Sequence, residues 1–163
     1  MGHLSKFETW LRDFNKLRRY AVVYGTRRSL IKALGRKRFP VISWRFLFPL
    51  TRRPKINIAI IGCGQFAFTT VAYFTLKHRV GRIKAIADVS APALHSFGDF
   101  YDVSRRHLLS DSSRLNSEFF AGIDIVYICS NHNSHWDYYL MAAEHGCVVH
   151  VEKPLVVSDA QLL

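Results

Sequence analysis

With 163 residues, the chain is long enough to bury one sizeable core and too short for two full-sized domains. Its apolar fraction of 49% and charged fraction of 21% form an ordinary globular balance. The net charge of +11 is uneven: residues 1–54 contain 14 Lys and Arg against Glu8 and Asp13, whereas residues 55–163 contain 9 against 10 acidic residues. This asymmetry predicts a basic arm on a near-neutral domain and excludes a generally basic protein.

The arm, residues 1–54, carries two basic helical patterns. Apolar residues recur every three or four positions between Leu4 and Ala21, as on one face of an amphipathic helix, and a second basic stretch runs from Arg27 to Arg38. Two interpretations stay open: a helical extension that packs on its own domain, or a surface that contacts anionic lipid or another acidic partner. Nucleic acid is disfavoured as a partner because no recognised nucleic-acid motif accompanies the charge.

From Lys55 onward, strand and helix signals alternate. Strands are predicted over 56–61, 82–89, 123–130 and 147–151, and helices over 66–78, 91–101, 134–145 and a short part of 110–120. Short apolar strands that alternate with helical crossovers predict an α/β fold with a doubly wound parallel sheet. We therefore expect residues 55–163 to form a dinucleotide-binding Rossmann domain, preceded by the basic helical extension.

The strongest local signal is a G-x-G-x-x-A motif between the first predicted strand and its helix, formed by Gly62, Gly64 and Ala67 with Gln65 and Phe66 between them. The first glycine can make the tight turn, the second lets the backbone approach a pyrophosphate, and the alanine allows close packing of helix on strand. The helix N-terminus then offers N–H groups and a partial positive charge to the phosphates. The motif predicts dinucleotide binding in this structural context.

Asp88 ends the second predicted strand, 24 residues beyond Gly64. A carboxylate at this place can accept hydrogen bonds from a ribose 2′-hydroxyl and repels the 2′-phosphate of NADP. No Arg follows it directly, so NAD is favoured over NADP. The alternative is a helix N-cap or a solvated acid in a turn.

Two further segments follow predicted strands at the same edge of the sheet, where ligands bind in doubly wound folds. One is S-N-H-N-S-H at 130–135, in which Ser134 is also a candidate cap for the next helix. The other is E-K-P at 152–154. The H-x-x-H pair in the first segment lacks a completing Cys or carboxylate cluster, so no metal site is predicted.

Together these segments resemble the glucose–fructose oxidoreductase / inositol dehydrogenase / rhizopine-catabolism (Gfo/Idh/MocA) family. The matching stretches are I-A-I-I-G-C-G-Q-F-A at 58–67, A-D at 87–88, D-I-V-Y-I-C-S at 124–130, His135 and G-C-V-V-H-V-E-K-P at 146–154. The run at 130–135 is similar to a branch of this family associated with surface-polysaccharide gene neighbourhoods. Asn131 stands where many members have proline.

The resemblance implies roles for individual residues. The lysine of E-K-P sits beside the nicotinamide and the sugar and assists catalysis, a role that falls to Lys153. Glu152 and Pro154 would shape its turn, and the loop from Ser130 through Asn131 to His135 would lie along the cofactor. Family members continue into a second α/β domain that covers the nicotinamide, so we expect this chain to be a fragment or truncated product that is catalytically poor alone. The full-length form is expected to be a homo-oligomer.

Two functional hypotheses follow. The first is an NAD-dependent oxidoreductase, with NADP as the alternative cofactor, that transfers a hydride between nicotinamide and a sugar, sugar nucleotide or cyclitol. The second is a non-catalytic NAD-binding module with the basic arm as its targeting element. Three cysteines without a C-x-x-C pair favour a reducing compartment. No run reaches the roughly 18 apolar residues of a membrane span and no secretory signal is recognisable, so a cytoplasmic location is expected, with peripheral membrane contact left open.

Overall fold

A computed structural model of the protein describes residues 6–37, 55–110 and 115–161. The helices are α1 Lys6–Tyr24, α2 Thr26–Lys37, α3 Ala72–Lys77, α4 Ala91–Tyr101, α5 Ser117–Phe120 and α6 His135–Glu144, and a π-helical turn, Ala67–Val71, leads directly into α3. The strands are β1 Asn57–Ile61, β2 Arg82–Asp88, β3 Arg105–Leu108, β4 Ile125–Ile128 and β5 Val148–Val151.

The five strands form one parallel sheet in the order β3-β2-β1-β4-β5. The chain builds outward from β1 in one direction through β2 and β3 and in the other through β4 and β5. This reversal beside β1 creates the crevice at the carboxyl ends of the strands where doubly wound folds bind ligands. The predicted α/β Rossmann fold with a helical extension is confirmed.

One strand was missing from the sequence prediction. β3 comprises Arg105-Arg106-His107-Leu108, and its polar residues hide the apolar signal on which strand prediction depends. It lies at an edge of the sheet, where a strand is covered less completely. The predicted helix over 66–78 is confirmed as helical, but its first part is the π-helical turn. The short helix predicted within 110–120 is the single turn α5.

The core has two halves, one on each face of the sheet. One half gathers the π-helical turn, α3 and α4 around the aromatic rings of Phe68, Phe97, Phe100 and Tyr101. The other half packs α5 and α6 against the opposite face around Phe119. Alternate residues of β1 point into the two halves, as the period of two in a strand requires.

The two helices of the basic arm differ in how they contact the domain. In α2, Ile31 is fully buried and Leu34 is 6% exposed, and both belong to the same core as Phe68. In α1, by contrast, Trp10 and Phe14 of the predicted apolar face are more than half exposed. Packing on the domain, one of the two interpretations of the arm, therefore holds for α2, whereas the apolar face of α1 remains largely open. The Trp- and Phe-containing connector over 38–54 lies outside the described residues.

Within the described part of the chain, no helix combines the length and hydropathy needed to cross a membrane.

The packing of α2 predicts a large difference between two neighbouring substitutions. Ile31→Ala removes a fully buried side chain and should lower the free energy of unfolding by about 2–5 kcal/mol. Leu30→Ala is the matched control: that side chain is 43% exposed, and the loss should stay near 0.5 kcal/mol. Urea unfolding followed by circular dichroism measures both values. Equal losses would contradict the packing of α2 against the π-helical turn and the core.

Candidate active site

The turn after β1 is made by Gly62, whose φ of +91° lies in the left-handed region. A β-carbon there would lie 2.6 Å from the backbone of Cys129 and Ser130. Gly62 therefore satisfies a requirement of the protein itself, because the turn passes directly against the end of β4. Its N–H donates to the carbonyl of Ala87 at 2.8 Å, which fixes the turn against β2 as well.

Gly64 is different. Its backbone is not in the left-handed region, and a β-carbon added there would meet no atom within 4 Å. Neither conformation nor packing within the described residues requires glycine at this position. The open space lies in a cavity of about 680 Å³, and a backbone without a side chain is what the close approach of a pyrophosphate needs. The residues present thus fit the dinucleotide.

The remaining motif residues, Gln65 to Ala67, lie at the start of the helical segment that follows the glycine turn. Ala67 is fully buried, as expected for a residue that brings helix and strand close together. Gln65 and Phe66 are exposed at the start of the helix. The N–H of Phe68 donates to the carbonyl of Gly64 at 3.0 Å, so the N–H groups before it belong to the first turn, where intrahelical acceptors are lacking.

Asp88 faces the same cavity from the end of β2. One carboxylate oxygen accepts from the N–H of Cys63 at 2.5 Å, and the other accepts from the N–H of Ser90 at 2.7 Å. An ionised carboxylate has about four acceptor positions, so each oxygen retains capacity for a ribose hydroxyl. The side-chain cap of α4 is Ser90, which accepts from Ala93, so the N-cap alternative for Asp88 does not apply.

The opposite wall of the cavity comes from the loop after β4. Ser130 and Asn131 line it, and Asn131 caps the short 3-10 helix His132–Ser134 by accepting from the N–H of Ser134. Its φ of −71° and ψ of 155° are values that proline also adopts. A proline could therefore adopt the same backbone at this position, and asparagine adds a hydrogen bond. Ser134 is the N-cap residue of α6 by position, as expected, but its side chain makes no capping hydrogen bond; its hydroxyl donates to the hydroxyl of Ser130 at 2.8 Å.

His135 connects this loop to the turn after β5. Its imidazole is fully buried, with Nδ1 2.7 Å from the carbonyl oxygen of Pro154 and Nε2 3.1 Å from that of Ser130. The ring therefore lies beneath the surface that a ligand would touch, and it joins the two loops through their backbones. A neutral imidazole can donate to only one of these oxygens, whereas the protonated ring can donate to both.

The E-K-P turn follows β5 at the same edge of the sheet. Lys153 and Pro154 are exposed, Glu152 is half-buried, and the Lys153–Pro154 peptide bond is cis. These three residues do not line the cavity, which gathers Gly62, Gly64, Asp88, Ser130 and Asn131 from the predicted set. The turn is connected to the cavity wall through His135, whose ring contacts the carbonyl oxygens of both Pro154 and Ser130.

Residues 56–163 match the family described as "Oxidoreductase family, NAD-binding Rossmann fold" (Gfo/Idh/MocA). The chain belongs to this family. Its predicted cofactor, a nicotinamide dinucleotide, is confirmed as that of the Gfo/Idh/MocA family, and solved structures similar to it contain NAD or NADP. Among curated proteins, none matches this chain in sequence.

Three solved structures illustrate the similarity. An oxidoreductase from Agrobacterium radiobacter, in complex with NAD+, L-tartaric acid and magnesium, is 29% identical with a TM-score of 0.54 over 66% of this chain and 30% of its own. The WlbA dehydrogenase from Chromobacterium violaceum, with NADH and UDP-GlcNAcA, is 24% identical with a TM-score of 0.57 over 70% and 31%. A 3-ketoreductase from Actinomadura kijaniata, with TDP-benzene and NADP, is 20% identical with a TM-score of 0.53 over 65% and 31%. The chain thus spans about 30% of the length of these proteins.

Four residues that line this cavity were not predicted from the sequence. Leu109 and Ser110 follow β3, the strand that was not predicted, and Asp137 and Tyr138 stand on the first turn of α6. The rule that ligands bind at carboxyl ends of parallel strands would have found the first pair once β3 was recognised. Nothing in the spacing of the second pair sets it apart from an ordinary helix.

Two titratable groups at the cavity stay protonated at neutral pH. Burial, with a smaller effect of the Glu152 carboxylate, raises the pKa of the Cys129 thiol to about 12. Because only the thiolate is an effective nucleophile, this thiol is inert at neutral pH. Burial, followed by the charges of Asp137 and Asp88, also raises the pKa of Tyr138. Its hydroxyl can therefore donate a hydrogen bond into the cavity.

Proposed function

We propose that this chain binds NAD and forms the cofactor-binding part of an oxidoreductase that transfers a hydride between nicotinamide and a sugar, sugar nucleotide or cyclitol. The observation that carries the proposal is the open space over Gly64, together with membership of the Gfo/Idh/MocA oxidoreductase family. The Chromobacterium protein is in complex with the sugar nucleotide UDP-GlcNAcA and the Actinomadura 3-ketoreductase with the nucleotide derivative TDP-benzene, which supports a nucleotide-linked sugar as the substrate. The homo-oligomeric state and cytoplasmic location remain part of the proposal.

The cavity supports distinct roles for its two sides. The turn from Gly62 to Gln65 would receive the pyrophosphate on backbone N–H groups, and Asp88 would accept from ribose hydroxyls. Ser130 and Asn131 would lie along the remainder of the dinucleotide, with His135 as the support that holds their loop against the E-K-P turn. When bound, the nicotinamide supplies the hydride acceptor or donor.

Lys153 is the proposed catalytic residue, with Glu152 and Pro154 shaping its turn. Its ammonium would donate a hydrogen bond to the carbinol oxygen of the substrate, stabilise the negative charge that develops there, and take part in moving the hydroxyl proton. In the described residues Lys153 is exposed, so its ammonium is accessible to a substrate.

A non-catalytic NAD-binding module is the second candidate. The observation in its favour is that Lys153 lies outside the cavity lining and is exposed to solvent. Such a module would bind NADH as tightly as the first proposal requires, yet it would form no NADH from any sugar. The test uses a protein that joins this chain to the substrate domain of such an enzyme and offers it NAD with nucleotide-linked sugars or cyclitols. Formation of NADH, followed by its absorbance, supports the oxidoreductase, and no formation of NADH supports the non-catalytic module.

Asp88 predicts the choice between cofactors. Its carboxylate is held at the cavity by two backbone hydrogen bonds, with Asp137 lining the same cavity, so a 2′-phosphate would meet negative charge. We expect NADH to bind more tightly than NADPH, and Asp88→Ser to narrow or reverse this preference, about tenfold for each 1.4 kcal/mol of repulsion removed. Fluorescence titration with both cofactors measures the ratio, with Asp99→Ser as the control. A wild-type preference for NADPH would refute the assigned role of Asp88.

A further inference from the structure

Helices α1 and α2 form a strongly basic hairpin, residues 6–37, outside the cofactor cavity. It contains ten Lys and Arg against Glu8 and Asp13. Two carboxylates can neutralise at most two of these cations, so the hairpin keeps a large positive charge whatever pairs form. This excess is independent of the proposed cofactor function and requires a separate explanation.

The same hairpin exposes large apolar side chains. The rings of Trp10 and Phe14 stack with centroids 5.5 Å apart, although they are 59% and 51% exposed. With Leu17 they form one side of a groove of about 470 Å³ between the helices, and Leu30 and Ala33 of α2 form part of the other side. Water thus contacts an apolar stripe that a globular surface normally covers.

Cations border this groove. Lys16, Lys32 and Arg36 line it together with the single acid Asp13. The ammonium of Lys32 lies 4.5 Å from the centre of the Tyr20 ring, so this charge is held beside the apolar stripe. Long basic side chains beside exposed aromatic rings are characteristic of helices that lie in the interface between lipid headgroups and acyl chains.

The packing of α2 sets the orientation of the hairpin. Its buried face, with Ile31 and Leu34, is occupied by the Rossmann core, and the guanidinium of Arg28 lies 4.6 Å from the ring centre of Phe74 in α3. The stripe on α1 takes no part in this attachment, because Trp10 and Phe14 belong to neither half of the core. Trp10 and Phe14 can therefore contact a partner while α2 stays packed on the domain.

We infer that the basic hairpin binds the surface of an anionic lipid bilayer, with Trp10 and Phe14 inserted among the headgroups and the surrounding cations on lipid phosphates. Positive charge alone would equally suit a nucleic acid. The exposed apolar stripe favours lipid, because insertion removes it from water whereas a phosphate backbone would leave it exposed. The choice of an anionic bilayer follows from the charge of the hairpin.

Sedimentation of the 163-residue chain with vesicles tests this inference. We expect pelleting with vesicles of equal parts phosphatidylglycerol and phosphatidylcholine at about 50 mM salt, little pelleting at about 500 mM salt, and little with phosphatidylcholine alone. The triple variant Arg12→Gln, Lys16→Gln, Arg19→Gln should weaken binding roughly 100-fold. Its charge-matched control is Lys55→Gln, Arg82→Gln, Lys84→Gln, which should bind at least tenfold better than the hairpin triple variant.

A second pair of variants tests the apolar stripe. Trp10→Ser with Phe14→Ser should reduce pelleting at least tenfold, because each removes a large ring from the membrane interface. Val148→Ser with Val157→Ser is the matched control, since both valines are exposed outside the hairpin. Unchanged thermal unfolding midpoints would establish that all variants are folded.

Several results would overturn the inference. They are the absence of pelleting at low salt, equal pelleting on neutral and anionic vesicles, and equal losses for hairpin and control variants. Self-association that Trp10→Ser with Phe14→Ser abolishes, without any vesicle binding, would instead assign the stripe to a second copy of the chain. Light scattering without lipid measures that outcome. None of these results depends on NADH binding, so the proposed function is tested separately.

Discussion

Gly64→Val should weaken NADH binding by about 100-fold, equivalent to roughly 2.7 kcal/mol, while the protein remains folded. The chain itself leaves the space beyond Gly64 open, because an added β-carbon meets nothing within 4 Å. A branched side chain would therefore fill space that only the ligand uses, and overpacking of that contact would cost affinity and not stability. Quenching of protein fluorescence by NADH, or the enhancement of NADH emission, gives the dissociation constant.

Gly62 supplies the matched comparison two residues away. Valine at that position would adopt a left-handed backbone and would place its β-carbon 2.6 Å from the backbone of Cys129. Gly62→Val should thus lower the thermal unfolding midpoint of the protein itself, with or without NADH. Gly64→Ala should leave the protein folded and bind NADH with an affinity between those of wild type and Gly64→Val. If a folded Gly64→Val protein binds NADH with the same affinity as wild type, the pyrophosphate does not bind at this turn.

Lys153→Ala should reduce the hydride-transfer rate by about 10²- to 10⁴-fold, the range that a positioned acid or base contributes. The measurement requires a protein that joins this chain to the remainder of such an enzyme, assayed under single-turnover conditions so that chemistry is observed directly. NADH affinity should change little, because Lys153 lies outside the cavity that would hold the dinucleotide.

Lys55→Ala is the control for this substitution, since it removes an exposed lysine before β1. It should leave the hydride-transfer rate unaltered. If Lys153→Ala also turns over at the wild-type rate, Lys153 has no part in the mechanism. A parallel loss of NADH binding would instead place its effect on the cofactor site.

The local patterns predicted the central elements of the sheet because those elements are apolar or bounded by glycine. β1, β2 and β4 are short buried runs, and each was recognised within about two residues of its ends. β3 was missed because an edge strand with two arginines and a histidine lacks that signal. Its omission also hid Leu109 and Ser110 from the predicted cavity.

The contacts that side chains make across the fold could not be predicted from the sequence. His135 was expected along the cofactor, but its ring is buried between the carbonyl oxygens of Ser130 and Pro154, residues separated by a strand and a helix. Such a contact depends on how two loops meet at one edge of the sheet, which no local spacing encodes. Similarly, periodicity predicted an apolar face on α1 without indicating that α2, through Ile31, would make the contact with the core.

Phe68 lies next to both the cofactor turn and the basic hairpin. Its N–H bonds to Gly64, and its ring lies so close to Gly35 of α2 that a β-carbon there would be 3.1 Å away. Occupancy at the two places is therefore subject to thermodynamic linkage: whatever factor lipid binding applies to the affinity for NADH, NADH must apply to the affinity for lipid. The vesicle-bound fraction with and without saturating NADH measures that factor, and equal fractions would show that the two events are independent.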